Sequence, residues 1–370
     1  MDNMIQEFGT KINALIQGEE ITREEVRAMF RQVLLNEQPD LQQGAFLAAL
    51  TAKGETPEEI AGIWDAIYEL DTVPVTPTVP QPIVENCGTG MDALKTFNIS
   101  TAAAIVAAAD GVYMSKHGAR AITSKCGAID LLESVGIDVE CDTELVKRSI
   151  EKAGIGIFNG MSTRIHPALA RILSQIRFGT TLNIAASLAN PALPQYGVRG
   201  VYSRNLIKPV TLTMRNIGYR RAIVFHGLNS DGTKGIDEIS TMGKTFVNEL
   251  HENGEITSFS INPEDLGIQS TEEHALLSST NRKEETLRFL RLLTATDCSA
   301  RHEIVCLNTA PILYLVGKAR DIEDGFEKAK RILESGRAIN KLSDWIREQN
   351  LDPERGEKKL ERLLEEVDAK

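Results

Sequence analysis

The sequence predicts an α/β protein with a small N-terminal helical domain and a large α/β domain that contains a mostly parallel central sheet. Three observations predict this fold class. Apolar residues recur at helical spacing through residues 1–73, a proline-rich stretch follows at 74–82, and short apolar runs then alternate with longer amphipathic segments. We therefore place the helical domain at 1–73, an extended linker at 74–82 and the α/β domain at 83–370.

Capping signals mark the helices of the N-terminal domain. Thr22 and Glu25 have the spacing of a capping box, and an apolar stripe follows them on one helical face. A second helix is predicted at 40–50. The segment 56–59 repeats the capping box with a proline at the first helical position, which predicts a third helix.

The region after the linker alternates between strand and helix signals. Strands are predicted near residue 112 and at 155–158, 222–225 and 258–261, and helices include 144–153 and 283–295. Because parallel strands need helical crossovers, this alternation predicts a largely parallel sheet wrapped by helices.

A glycine turn and a helix start lie close together after the first apolar segment of this domain. Gly88-Thr89-Gly90 follows Ile83-Val84, so the turn is predicted to leave a strand. Glycines there allow backbone N–H groups to point at an anion. Asn98-Ile99-Ser100-Thr101 then precedes an apolar run, and the N-terminus of a helix is itself a site for anions.

A cationic loop completes this pattern. Lys116-His117-Gly118-Ala119-Arg120 follows the predicted strand near residue 112, and Thr123, Ser124 and Lys125 add hydroxyls and charge before a helix at 128–135. Each of these three features alone is weak evidence for a binding site, since tight turns, helix caps and solvated basic loops are all common. Their order within one βαβ-sized stretch predicts a pocket for a polyphosphate.

A pair of adjacent carboxylates is the second chemical signal. Asp237 and Glu238 follow Gly232 and Gly235 and an apolar run that ends at His226-Gly227. Adjacent acids are usually solvated loop residues. Here they fit a Mg²⁺ site, because Mg²⁺ favours one or two carboxylates together with substrate phosphates and water.

These motifs, in this order, resemble those of the anthranilate phosphoribosyltransferase family, and the resemblance covers most of the chain. The stretch 88–92 resembles the family's GTGGD, 98–101 its NIST and 116–120 its KHGNR. Further similar segments are KGETPEEIAG at 53–62, HPA at 166–168, LANPA at 188–192 and GIDEIS at 235–240. The resemblance implies that 163–191 packs on the helical domain, that the active site lies in the cleft between the domains, and that the protein is a homodimer through its N-terminal helices.

The resemblance implies transfer of the phosphoribosyl group from 5-phosphoribosyl diphosphate to anthranilate in tryptophan biosynthesis, with Mg²⁺ as cofactor. No covalent nucleophile is needed, because diphosphate leaves readily once its charge is neutralised. The implied diphosphate-binding residues are Gly88, Met91, Asp92, Thr96, Asn98, Ile99, Ser100, Thr101, Lys116, His117, Gly118, Arg120, Thr123, Ser124 and Ala128. The implied acceptor-binding residues are Gly88, Ala119 and Arg177, and the implied metal ligands are Ser100, Asp237 and Glu238. His117 has two interpretations, as a hydrogen-bonding loop residue, which we favour, or as a group that steers the acceptor amine.

Four departures from the family pattern fall mainly on the acceptor side. Met91 replaces a glycine, which implies strain if the position needs a positive φ. Ala119 replaces the asparagine of KHGNR, and Ala186-Ser187 replaces a Gly-Pro pair. The segment 166–183 is also shorter than usual, so Arg177 is our candidate for the acceptor-binding arginine and Arg171 the alternative.

Composition excludes several other classes of protein. The 370 residues carry a net charge of −11, which argues against nucleic-acid binding. The five cysteines are scattered, and no apolar run approaches the length of a membrane span, so we expect a cytoplasmic enzyme without a membrane partner. The alternatives are a related phosphoribosyltransferase or pyrimidine nucleoside phosphorylase with another acceptor, and a non-catalytic nucleic-acid-binding paralogue. The carboxylate pair argues against the phosphorylase.

Overall fold

The computed structural model describes residues 2–120, 127–176, 178–297 and 299–369. The N-terminal part is helical, with α1 (Asp2–Ile16), α2 (Arg23–Leu34), α3 (Asp40–Lys53) and α4 (Pro57–Leu70). Both predicted capping boxes are present, since the Thr22 and Thr56 side chains accept from the backbone N–H groups of Glu25 and Glu59. The short cap side chains satisfy N–H groups that a helix start otherwise leaves unpaired.

The rest of the chain alternates strands and helices. The strands are β1 (Ile83–Gly88), β2 (Tyr113–Gly118), β3 (Ile155–Asn159), β4 (Tyr196–Gly200), β5 (Arg221–Leu228), β6 (Gly235–Ile236), β7 (Thr245–Leu250) and β8 (Ile256–Ile261). The helices are α5 (Ile99–Ala109), α6 (Ala128–Val135), α7 (Thr143–Ala153), α8 (Pro167–Gln175), α9 (Leu182–Ala185), α10 (Ile207–Asn216), α11 (Glu273–Leu276), α12 (Arg282–Leu293), α13 (Ala300–Leu315), α14 (Ile322–Glu334), α15 (Arg337–Glu348) and α16 (Pro353–Asp368).

One central sheet has the strand order β3-β2-β1-β4-β5-β7-β8, with β6 paired to β5. The pairs from β3 through β5 are parallel, whereas β6, β7 and β8 join antiparallel. The predicted fold class is therefore confirmed. The strands β4, β6 and β7 were not predicted, and the segment 116–118, predicted as loop, is the end of β2.

Two large apolar cores lie on the two faces of the sheet. One core unites the sheet with α5 and the C-terminal helices, and Trp345 is fully buried in it. The other joins α1–α4 to the segment between β3 and β5, with Leu169, Ile172 and Leu182 among its buried members. The segment predicted to pack on the helical domain thus contributes to the same core as α1–α4. The division of the chain at 74–82 stays a prediction.

The outer edge of β3 is closed by a side chain from the C-terminal region. The Gln349 amide accepts from the Ile157 N–H at 2.9 Å and donates to the Ile157 carbonyl at 3.0 Å, as a neighbouring strand would. The Trp345 indole donates to the same amide oxygen at 2.9 Å and fixes its orientation. Gln349 is fully buried. Within the described residues, no helix has the length and apolar character needed to cross a bilayer.

Candidate active site

A cavity of about 290 Å³ opens where β1 and β2 end and α5 begins. The chain order of the strands reverses on either side of β1, and in open α/β sheets such a point creates a crevice at the carboxyl ends of the strands. The cavity is lined by these of the predicted site residues: Gly88, Met91, Asp92, Thr96, Asn98, Ser100, Lys116, His117, Gly118, Ala119, Arg120, Ala128, Asp237 and Glu238. Segments far apart in the sequence thus meet around one space.

Two of the predicted site residues lie away from this cavity. Ile99 and Thr101 are fully buried on α5, and no hydrogen-bond partner among the described residues satisfies the Thr101 hydroxyl. Their side chains face the core, because successive residues at a helix start point in different directions and Ser100 is the one that reaches the cavity. Their predicted contact with substrate therefore has no side-chain counterpart in this structure. Three further predicted residues, Thr123, Ser124 and Arg177, lie outside the described residues.

Asp237 lies directly against the glycine turn. Its Oδ2 accepts from the Gly90 N–H at 2.7 Å. A Cβ on Gly88 would overlap the Asp237 carboxylate, and a Cβ on Gly200 would overlap the Asp237 carbonyl. Glycine at both positions is therefore what allows the acidic segment to approach the ends of β1 and β4.

Three carboxyl groups cluster on this wall of the cavity. Burial, and secondarily the charge of Asp237, raises the pKa of Asp92 to about 7. Burial raises the pKa of Asp237, and burial together with the charge of Asp237 raises the pKa of Glu238 well above its ordinary value. Lys95 supplies countercharge to Asp92, with a distance of 3.4 Å between Nζ and Oδ1. Buried carboxylates with so little countercharge favour binding of a cation.

The donor set suits Mg²⁺ better than a metal that requires a complete protein cage. Among the described residues, no three His, Cys, Asp or Glu side chains form a ready-made cage. Mg²⁺ does not require one, since it keeps several waters and takes one or two carboxylates plus phosphate oxygens. Asp237 and Glu238 line the cavity next to Ser100, which supplies oxygen donors of the appropriate kind.

Besides Lys95, the cations Lys116 and Arg120 line the cavity, and each is already engaged by the protein. The Lys116 Nζ donates to the carbonyl and side-chain oxygens of Asn86 at 2.9 and 3.0 Å, and burial lowers the pKa of Lys116. Arg120 donates to Glu133 and Glu140, each at 2.8 Å. Lys116 is therefore fixed at the floor of the cavity, whereas ion pairs orient Arg120 at its rim.

His117 is held by protein groups on both ring nitrogens. Its Nδ1 lies 3.4 Å from the Ser187 carbonyl and its Nε2 lies 3.1 Å from Nε2 of His166. Burial lowers the pKa of His117 to about 4, so the ring is neutral. Because a carbonyl only accepts, we assign the proton of His117 to Nδ1, which leaves its Nε2 unprotonated where it faces His166. These bonds support the interpretation of His117 as a hydrogen-bonding residue.

The described positions that depart from the family pattern line the same cavity. Met91 has φ +67°, so the strain that the sequence implied is present. Ala119, Ala186 and Ser187 line the cavity. Arg171 does not, because its guanidinium donates to the Val33 carbonyl and to Gln43 in the helical part. These contacts argue against Arg171 as the alternative acceptor residue.

Several lining residues were missed from the sequence. Leu173, Leu182 and Asn183 come from helical segments distant in sequence from the phosphate motifs, and Gly160 follows β3. Asn183 has the clearest structural role among them. Its Nδ2 donates to the Thr89 carbonyl at 3.2 Å and so links the glycine turn to α9. None of these four residues lies in a local sequence pattern that would have marked it as part of the site.

Comparison with known proteins gives the class. The model "Glycosyl transferase family, helical bundle domain" matches residues 10–70, and "Glycosyl transferase family, a/b domain" matches residues 80–339. Together with the cleft described above, these matches define a glycosyltransferase built from a helical bundle and an α/β domain.

Full-length relatives narrow the assignment. The anthranilate phosphoribosyltransferase of Methanococcoides burtonii is 34% identical over 338 residues, covering 90% of this chain and 92% of that protein. The enzyme of that name from Anaeromyxobacter sp. (strain K) is 36% identical over 347 residues, covering 93% and 98%. The chain belongs to the anthranilate phosphoribosyltransferase family.

Solved structures agree with this placement. The anthranilate phosphoribosyltransferase of Thermus thermophilus matches with a TM-score of 0.79 and 30% identity, covering 90% of this chain and 98% of that one. The Saccharomyces cerevisiae enzyme in complex with PRPP and Mg matches with a TM-score of 0.79 at 23% identity, covering 94% and 98%. At that identity the second match shows the shared fold.

Proposed function

We propose that this chain transfers the 5-phosphoribosyl group from 5-phosphoribosyl diphosphate to anthranilate, releasing diphosphate, with Mg²⁺ as cofactor in tryptophan biosynthesis. One observation carries the proposal. A cluster of buried carboxylates with raised pKa values lines one cavity together with a glycine turn, a helix N-terminus and a buried lysine. Opposite charges placed in this way suit a substrate whose phosphates bind both protein donors and a divalent cation.

The chain's own groups would bind the diphosphate through backbone and lysine donors. The N-terminus of α5 begins at the cavity, and Lys116 projects into it from β2. Helix N-termini and lysine stabilise phosphate charge, and they act more strongly away from bulk water. Asp237 and Glu238 would hold Mg²⁺, which neutralises the charge on the leaving diphosphate.

The acceptor would approach along the apolar part of the cavity lining. Leu173, Leu182 and Ala186 line the cavity, so an aromatic ring would find an apolar surface there. The arylamine is nucleophilic when neutral, so the protein contributes orientation and electrostatic stabilisation without forming a covalent intermediate. As the bond to diphosphate lengthens, positive charge develops on the ribose carbon, and the amine nitrogen attacks it and then loses one proton.

The test follows the loss of anthranilate fluorescence with 5-phosphoribosyl diphosphate, with and without EDTA. The double variant Asp237→Asn with Glu238→Gln should lower the metal-dependent rate at least about a hundred-fold, since it removes the cation-binding charges. The matched control is Glu264→Gln with Asp265→Asn, an exposed acidic pair outside the cavity, and it should retain the wild-type rate.

The two results separate the reaction class from the acceptor. A rapid metal-dependent loss that only the Asp237/Glu238 variant abolishes would support the complete proposal. If fluorescence persists while calorimetry detects Mg²⁺-dependent binding of 5-phosphoribosyl diphosphate, the chain is a phosphoribosyltransferase for another acceptor, and anthranilate is excluded.

A homodimer through the N-terminal helices is part of the proposal. Leu41 on α3 is 89% exposed and Ile16 on α1 is 65% exposed, although both are large apolar residues. The helices α1 and α3 pack on each other, so both exposed apolar side chains belong to the region proposed as the interface. Light scattering should give twice the mass of one chain, and Leu41→Glu should reduce it. A monomeric wild type would contradict this part of the proposal.

A further inference from the structure

Met91 holds a backbone conformation that its side chain disfavours, because the loop around it is fixed on both sides. On one side, the Asp237 carboxylate accepts from the Gly90 N–H at 2.7 Å. On the other, the Asn183 amide donates to the Thr89 carbonyl at 3.2 Å. A φ of +67° at a residue with a Cβ persists only where its surroundings impose it, and such positions concentrate at functional sites.

The Met91 side chain occupies the space above Gly179. A Cβ added to Gly179 would overlap Sδ and Cε of Met91. Gly179 is not among the glycines with a positive φ, so its backbone would accept any residue. The atoms that a side chain at position 179 would meet first are therefore those of Met91. The two residues are complementary in size, because the Met91 thioether occupies the space that a side chain at position 179 would need.

This pair joins two segments that contribute to the cavity. Met91 precedes Asp92 in the glycine turn, whereas Gly179 lies shortly before α9, whose Leu182 also lines the cavity. Met91 lines the same cavity as Leu173 and Leu182. A thioether is polarisable, and contact with the edge of an aromatic ring is favourable for it.

We infer that Met91 is a specificity-determining residue whose side chain forms the wall against which the ring of the aromatic amine packs. This inference rests on the proposed function. The backbone at position 91 serves the diphosphate turn, and the thioether limits the size of the ring that can enter beside it. The enzyme should accept an unsubstituted 2-aminobenzoate and discriminate against ring-methylated forms that project toward Met91.

The experiment compares wild type, Met91→Gly, Gly179→Ala and the double variant with anthranilate and its 3-, 4-, 5- and 6-methyl derivatives. Met91→Gly should raise the ratio of kcat/KM for at least one methylated amine over anthranilate by about ten-fold or more, the range expected for one methyl group in an apolar pocket. The KM for 5-phosphoribosyl diphosphate should change less than the KM for the amine.

The double variant tests the pairing directly. Gly179→Ala alone should lower kcat/KM for anthranilate about ten-fold, because the new methyl group displaces the thioether. Adding Met91→Gly should cancel that loss, since the space above position 179 is then empty. Gly44→Ala is the control, because a Cβ there meets nothing within 4 Å, and it should behave as wild type.

Each outcome has a definite meaning. If anthranilate is converted but no methylated amine gains in Met91→Gly, or if the two substitutions are simply additive, the inference is wrong. If Gly179→Ala does not fold, recovery of folding and activity in the double variant supports the pairing, and failure to recover overturns it. If the wild type converts no anthranilate, the proposed function fails first and the specificity assignment falls with it.

Discussion

Asp92→Asn should stabilise the metal-free protein at alkaline pH. The substitution removes a carboxyl group whose ionised form is unfavourable in the folded protein. Asp92 is buried in the cavity wall beside Asp237, and its pKa is about 7 where an ordinary aspartate has 3.8. Asparagine keeps the size of the side chain and a donor toward Asp237. The substitution therefore removes the charge with little change in shape.

The sign and size of the effect follow from proton linkage. A carboxyl whose pKa is raised by folding contributes stability that is complete below its unfolded pKa and is lost as the pH rises through the folded pKa. The loss therefore runs from about pH 4 to about pH 7 and then ends. At about 1.36 kcal/mol per pH unit, the free energy of unfolding falls by at most about 4 kcal/mol. About 3 kcal/mol of this decrease falls between pH 5 and pH 8.5.

The assay is urea unfolding in EDTA at pH 5 and pH 8.5. From pH 5 to pH 8.5, the free energy of unfolding of the wild type should decrease by about 3 kcal/mol more than that of Asp92→Asn. Asp231→Asn serves as control, because the lowered pKa of that exposed carboxyl places its titration below the range. Equal losses in wild type and Asp92→Asn would refute the reasoning. Saturating Mg²⁺ with 5-phosphoribosyl diphosphate should reduce the wild-type loss, since a bound cation favours the ionised carboxylate.

The remaining predictions concern packing around the site. Gly200→Ala should destabilise the protein by about 1–3 kcal/mol in urea and reduce turnover, because its Cβ overlaps the Asp237 carbonyl. Arg171→Ala should lower stability by about 1–2 kcal/mol but leave the acceptor KM unchanged, and a selective rise in that KM would contradict its structural role. Arg199→Met should cost about 3–5 kcal/mol of unfolding free energy because it leaves Glu85 buried without its partner, and Glu85→Gln added to it should recover part of that loss.

The fold class and many of the residues that line the cavity were accessible from the sequence because their determinants are local. Capping boxes, the turn at 88–90 and the start of α5 each lie within a few residues of chain. Asp237 and Glu238 were recognisable as a pair because two carboxylates after glycines are chemically distinctive. Met91 could be marked as strained because only glycine adopts a positive φ without cost.

The remaining features depend on contacts that no short pattern encodes. The strand β4 is a short run that includes two glycines. The strand β7 is an exception, because Asn253-Gly254 in its turn to β8 is a local hairpin signal that was overlooked. Arg171 could not be excluded as an acceptor residue, because only the fold shows its guanidinium directed at α2 and α3. The burial of the Ile99 and Thr101 side chains was not apparent from the sequence, because the helical phase at the start of α5 depends on the packing of the whole helix.

The closure of β3 by Gln349 has a consequence for how the chain is made. Ile157 is synthesised 192 residues before its amide partner. During translation, the Ile157 N–H and C=O groups therefore wait for this partner until almost the entire polypeptide has been made, and exposed strand edges promote association between chains. Protection of this edge of the sheet thus comes late in synthesis, from the residue that follows α15.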